Sequence, residues 1–148
     1  SIGTDGAFTF TPSGTFTGTV VYFVVGWFIF EFILGSYNNA NTTQIVGFKK
    51  DEQESSLLML IVSCTAYAML LSSLMVYWIS TLLSFKQGLK LGAIVGILVA
   101  TMTDTYWYGT SHFYNNATPM ILDILAATIT VGIMGGAISL VLSSLKHN

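Results

Sequence analysis

Three carboxylates occupy unusual places in this chain. Glu31, Asp104 and Asp123 each lie near the end of a long apolar run, and the one basic residue inside those runs, Lys90, lies at the opposite end of its run from Asp104. A carboxylate in hydrocarbon is expensive unless it is protonated, hydrogen-bonded, hydrated or bound to a cation. The chemistry open to such residues is proton exchange or the holding of a small cation. Trp27 precedes Glu31 by four residues, Tyr106, Trp107 and Tyr108 follow Asp104, and His112 lies between Asp104 and Asp123. A second reading keeps the acids at headgroup depth, hydrogen-bonded to Tyr, Ser and Thr neighbours. Trp27 and Trp107 are then interfacial anchors and His112 an ordinary loop residue. His112 with Asp104 and Asp123 would make a metal-ligand set, but the three follow no recognised ligand spacing, so the identity of any metal stays open. The sequence has no phosphate-binding glycine loop, zinc-protease motif or nucleophile elbow. No cofactor and no catalytic residue are therefore expected, and an enzyme acting on lipid is the least supported function.

The elements that carry these residues follow from hydropathy. Of 148 residues, 53% are hydrophobic and only 8% charged, and mean hydropathy is +0.70. A soluble domain carries about 25% charged residues, so the chain is expected to be an all-α membrane protein. Four spans are predicted, at about 16–35, 57–85, 89–108 and 119–145. Each suffices for a hydrocarbon core of about 30 Å at 1.5 Å per residue. Residues 1–15 form a polar N-terminal arm in which Phe8 to Phe10 alternates with period two, and residues 16–148 form the transmembrane domain. No cleavable signal peptide is expected, because the first fifteen residues lack Lys and Arg and the first run is too long for a signal core. Ser55 or Ser56 is a candidate helix cap, and Pro119 suits the first turn of a helix.

Four spans place Glu31, Asp104 and Asp123 on one side, opposite the termini, where they are expected to form one layer with at least two sharing a polar cavity. Lys86, Lys90 and Lys146 on the terminal side outnumber Lys49 and Lys50 on the other, which favours cytoplasmic termini.

Packing is expected to rest on glycine. Gly88, Gly92 and Gly96 recur at every fourth residue and lead to Ala100 and Asp104, while Gly132 and Gly136 form a second pair in the last span. Small residues at that spacing let membrane helices approach closely. The third span is expected to be the central element, and Gly88 to lie in a short turn between Lys86 and Lys90. Tyr37-Asn38-Asn39-Ala40 after the first span is echoed by Tyr114-Asn115-Asn116-Ala117 after the third. The echo is either chance or the mark of two helical-hairpin repeats.

Charge and thiols exclude other classes. All five basic residues are Lys, too few for a nucleic-acid face. The lone Cys64 cannot form an internal disulfide and is expected to be a small packed residue. Asn41-Thr42-Thr43 and Asn116-Ala117-Thr118 match glycosylation sequons, a short pattern that recurs by chance.

Certain motifs carry a resemblance. Gly26-Trp27, Leu34-Gly35 and Val46-Gly47 before an acidic cluster, then Lys86-Gln87-Gly88, Gly92, Gly96, the aromatic turn, and Asp123 followed by Gly135-Gly136-Ala137 resemble the uncharacterised bacterial four-helix membrane family known as domain of unknown function 1761. The resemblance covers most of the chain after residue 16 and leaves out the Thr-rich arm. It implies a multi-pass protein of a bacterial inner membrane, and it brings no activity, since the family has none assigned. Two functions therefore stand side by side. One is a homo-oligomeric proton- or cation-handling transporter or channel. The other is an accessory or structural subunit that docks on other membrane subunits. The lipid bilayer is the partner common to both.

Overall fold

A computed structural model describes residues 11–50, 53–78 and 84–146. Phe8 to Phe10, Ser80, Leu82 and Leu83 lie outside the described residues. The described chain is an all-α bundle. Helix α1, Pro12–Gly26, continues without a break into a π-helical stretch, Trp27–Ile33, and the short α2, Gly35–Asn41, follows. Helices α3, Leu57–Trp78, α4, Phe85–Thr110, and α5, Ala117–Lys146, complete the fold. Four helical segments are long and apolar enough to cross a membrane: Pro12–Ile33, Leu57–Val76, Phe85–Thr110 and Ala117–Leu145. The chain is a multi-pass membrane protein of four spans.

Several boundaries differ from the sequence expectation, each for a local reason. The first span begins at Pro12, inside the stretch expected to be a polar arm, because Pro sits in the first turn and leaves no donor wasted. The expected loop from Tyr37 opens with α2. Gly88 lies in no turn. Helix α4 already begins at Phe85, fixed by a reciprocal capping box: Ser84 Oγ accepts from Gln87 N at 3.3 Å, and Gln87 Oε1 accepts from Ser84 N at 3.1 Å. Ser56 caps α3 by accepting from Met59 N at 3.3 Å. At the head of α5, Asn116 Oδ1 accepts from Thr118 N at 2.9 Å.

The central element is α5 and not α4. Half of the most apolar stretch of α5 is buried, against 22% for α4. The core joins Ala68, Leu71 and Met75 of α3 to Val131, Met134, Ile138 and Leu142 of α5. Helix α1 packs on both α3 and α5, whereas α4 packs almost wholly on α5. The difference arises because α5 carries bulky and small residues on several faces, while α4 offers a single glycine stripe.

That stripe does pack. Gly88, Gly92, Gly96, Ala100 and Asp104 are the buried residues of α4. A Cβ on Gly96 would lie 2.8 Å from Val131 Cβ and 3.0 Å from the Ala127 carbonyl oxygen. One on Gly136 would lie 2.5 Å from the Phe85 ring. Gly132 behaves differently, since a Cβ there meets Leu89 O at 3.4 Å and Ala93 Cβ at 3.6 Å, ordinary contact distances. A further glycine pair lies on α1: a Cβ on Gly14 would stand 2.6 Å from Ser72 Oγ, and one on Gly18 2.8 Å from Ala68 Cβ and Ile138 Cδ1. These contacts run α1 antiparallel to both α3 and α5.

Candidate functional site

The two halves of the internal echo meet at one end of the bundle. Thr42 and Tyr114 form an antiparallel bridge. Thr43 N donates to Phe113 O at 2.7 Å, Asn115 N to Asn41 O at 3.0 Å, and Asn115 Nδ2 to Ala40 O at 3.5 Å. Thr43 Oγ1 donates to His112 O. The segment after α2 is thereby tied to the segment before α5, and both loops lie at the same end, as an even number of crossings requires.

Beneath this tie is a cavity of about 510 Å³. Glu31 and Asp123 both line it, with Asn38, Asn39 and Gln44 as polar neighbours. Phe30, Phe48 and Phe113 make apolar wall, and Tyr114 adds a phenol. Lys49 also lines it, brought there by the loop between the first two spans. That loop turns at Gly47, whose φ of 80° is the one positive value among the described residues. Phe48 N closes the turn on Ile45 O at 3.1 Å, an arrangement with φ > 0 at the third position that glycine adopts without strain.

Asp104 completes the cluster from the next layer. It is 7% exposed, the last member of the α4 stripe, and its side chain interacts with both Asp123 and Tyr114. Its Oδ2 is nonetheless buried with no hydrogen-bond partner among the described residues. The Tyr114 phenol is held above its ordinary value, first by burial and then by the carboxylates of Asp123 and Asp104. Asp123 and Tyr114 thus line an open cavity, and Asp104 lies buried behind them with one carboxylate oxygen still lacking a partner.

The π-helical stretch positions Glu31. Leu34 N reaches back five residues to Ile29 O at 3.0 Å, one more than in an α-helix. Phe30 and Glu31 come to the cavity, and Phe28 and Phe32 stack outward with ring centroids 5.4 Å apart. Trp27 is 58% exposed and does not line the cavity.

Trp107 and His112 are not brought to the acids either. They line an apolar cavity of about 460 Å³ on the other side of the 43–48 loop, and His112 also borders a neighbouring one with Tyr108. Among the described residues no three of His, Cys, Asp and Glu gather as a metal site would require. Asp104 thus lies with Asp123 and Tyr114, while Glu31 shares with Asp123 only the lining of the cavity, to which Lys49 is added. Sequence reasoning did not single out Tyr114 or Lys49, although the Tyr-Asn-Asn-Ala echo was a signal for Tyr114.

No protein-family model, curated protein or solved structure matches this chain. The resemblance to domain of unknown function 1761 rests on the quoted residues alone.

Proposed function

We propose that this protein takes up a proton or a small cation at the acid vestibule formed by Glu31, Asp104 and Asp123, as a transporter or channel in a cell membrane. The observation that carries this reading is Asp104: a buried carboxylate beside a second carboxylate, with one oxygen unpartnered. Like charges so placed are relieved by a shared proton or a bound cation, and either would supply the missing partner. Asn38, Asn39 and Gln44 offer the amide oxygens that a partly dehydrated cation needs. The resemblance to a bacterial family supports an inner membrane, and the lysine balance supports a vestibule on the non-cytoplasmic side.

The test is reconstitution in liposomes with proton and monovalent-cation uptake measured under an imposed gradient. Asp104→Asn keeps the side-chain volume and should leave the fold intact while abolishing uptake. Wild-type liposomes no leakier than empty ones, or an Asp104→Asn protein as active as the wild type, would end this reading.

A second reading, an accessory subunit or a homo-oligomer, is favoured by α4. That helix has one main neighbour and exposes Leu89, Ile94, Ile97, Leu98 and Met102 on its far side. Lipid can cover such a face, and so can another membrane helix. Native mass spectrometry of the extracted protein separates monomer, homo-oligomer and hetero-complex.

A further inference from the structure

Helix α1 carries a line of polar groups on the side that meets α3 and α5. Thr11, Thr15 and Thr19 follow at steps of four, the spacing that shares a helix face, and Tyr22 continues the line. Helix α3 answers them. Ser72 Oγ points at Gly14, and the Thr19 and Thr65 hydroxyl oxygens lie 3.4 Å apart. The Tyr22 ring lies 5.3 Å from that of Tyr67, and Tyr22 is close enough to Asp123 for the two to interact electrostatically. From Thr11 to Tyr22 the helix rises about 16 Å. The polar line thus runs from the terminal end of the bundle to the acid vestibule, across most of a hydrocarbon core of about 30 Å.

Three hydroxyls in this line are orphans. Thr11 Oγ1, Thr15 Oγ1 and Ser72 Oγ are buried without a hydrogen-bond partner among the described residues, on side chains only 7%, 5% and 1% exposed. A helical Ser or Thr has an easy alternative, bonding the carbonyl four residues back. Thr19, Thr103, Thr128 and Thr130 all take it, whereas Thr15 and Ser72 do not. Buried polar atoms left open in this way are the usual hosts of ordered water. The missing Cβ at Gly14 keeps Ser72 Oγ uncovered. The groove on the lipid side of α1 and α3 touches Thr15, Thr19 and Thr65 but is otherwise walled by apolar residues.

We propose that this seam is hydrated, and that its file of water joins the acid vestibule to the terminal surface as a path for protons. The rival account is dry packing, in which Ser and Thr serve only because they are small. What the path carries rests on the proposed function, but its hydration does not.

Silver ion is the probe, since it is about the size of a water molecule, reacts with thiols and does not cross dry hydrocarbon. In a Cys64→Ala background, Thr15→Cys and Ser72→Cys are placed in the seam, Gln53→Cys in the exposed loop and Leu98→Cys on the lipid face. Protein in liposomes is exposed to silver and the surviving thiol is counted after denaturation. Thr15→Cys and Ser72→Cys should react within about tenfold of Gln53→Cys and about a hundredfold faster than Leu98→Cys, because an ion leaving water for apolar surroundings is strongly disfavoured. Seam thiols protected as well as Leu98→Cys would overturn the proposal. Should the variants fold poorly, native Cys64, which lies within electrostatic reach of Tyr22, gives the same reading in the unaltered chain. Proton flux is the second arm. Thr15→Val and Ser72→Ala should each lower it about tenfold or more if the orphan hydroxyls hold the water, and unchanged flux in both would remove the path. The two readings fail separately. Silver reaching the seam while Asp104→Asn leaves proton uptake intact sinks the acid-site reading. Silver excluded from the seam while Asp104→Asn abolishes uptake sinks the water path.

Discussion

Two glycines on one helix pair should respond in opposite ways to the same substitution. A methyl group on Gly92 would intrude on the Val131 carbonyl oxygen and stand 3.0 Å from that carbonyl carbon and 3.1 Å from Gly132 Cα, all backbone atoms. No rotamer can relieve that, so α4 must back away from α5 by up to roughly 1 Å, a gap over which packed pairs lose a quarter to a half of their dispersion well. Overpacking of this kind costs about 1–3 kcal/mol, and replacing Gly by Ala in a helix returns about 0.8–1.0 kcal/mol. The net expectation for Gly92→Ala is a loss of roughly 0–2 kcal/mol, towards the upper end because backbone cannot yield. At Gly132 the methyl meets its neighbours at 3.4 Å and beyond, so only the helix-forming gain remains. Gly132→Ala should be neutral or stabilising by up to about 1 kcal/mol. The assay is reversible unfolding in mixed micelles followed by far-ultraviolet circular dichroism. If Gly132→Ala destabilises as much as Gly92→Ala, the asymmetry of the α4–α5 contact is refuted, and with it the argument from carbonyl proximity.

Other expectations follow from the site. The Tyr114 phenol is raised above its unfolded value of about 10, so the folded state keeps a proton that the unfolded chain loses first. That contribution to stability is complete below about pH 10 and fades as pH rises towards the folded value; Tyr114→Phe should flatten the alkaline fall in unfolding midpoint. Glu31→Gln keeps the shape of the π-helical stretch, so helix content should survive while uptake falls, and retained uptake would mean that Glu31 contributes nothing at the cavity. Labelling of an engineered Ser144→Cys from the cytoplasmic side alone is the expected result for orientation, and labelling only from outside would reverse it.

The four spans were legible because hydropathy depends on local composition, and a bilayer reads composition directly. That Glu31 and Asp123 would lie at the same end of the bundle was legible from the parity of crossings. What escaped the sequence depends on neighbours. Gly14 and Gly18 were hidden because Thr11, Thr15, Thr17 and Thr19 made that stretch read as a polar arm leading into a span. The primacy of α5 over α4 follows from how many helices each touches, which a stripe of glycines cannot report. Lys49 enters the cavity through the turn at Gly47, a geometry set by one dihedral angle.

The tie between the two loops also sets how often the vestibule can widen. Among the described residues four hydrogen bonds close it, from Thr43 and Asn115 on one strand or the other to Phe113, His112, Asn41 and Ala40. At about 1 kcal/mol net for each, opening the clasp costs about 4 kcal/mol, so that roughly one molecule in a thousand is unclasped at any moment. Loop motions of this kind occupy nanoseconds to microseconds. Removing one of the four bonds would raise the unclasped fraction about fivefold, so the clasp holds the two loops, and with them the polar lining of the cavity, in one arrangement for nearly all of the time.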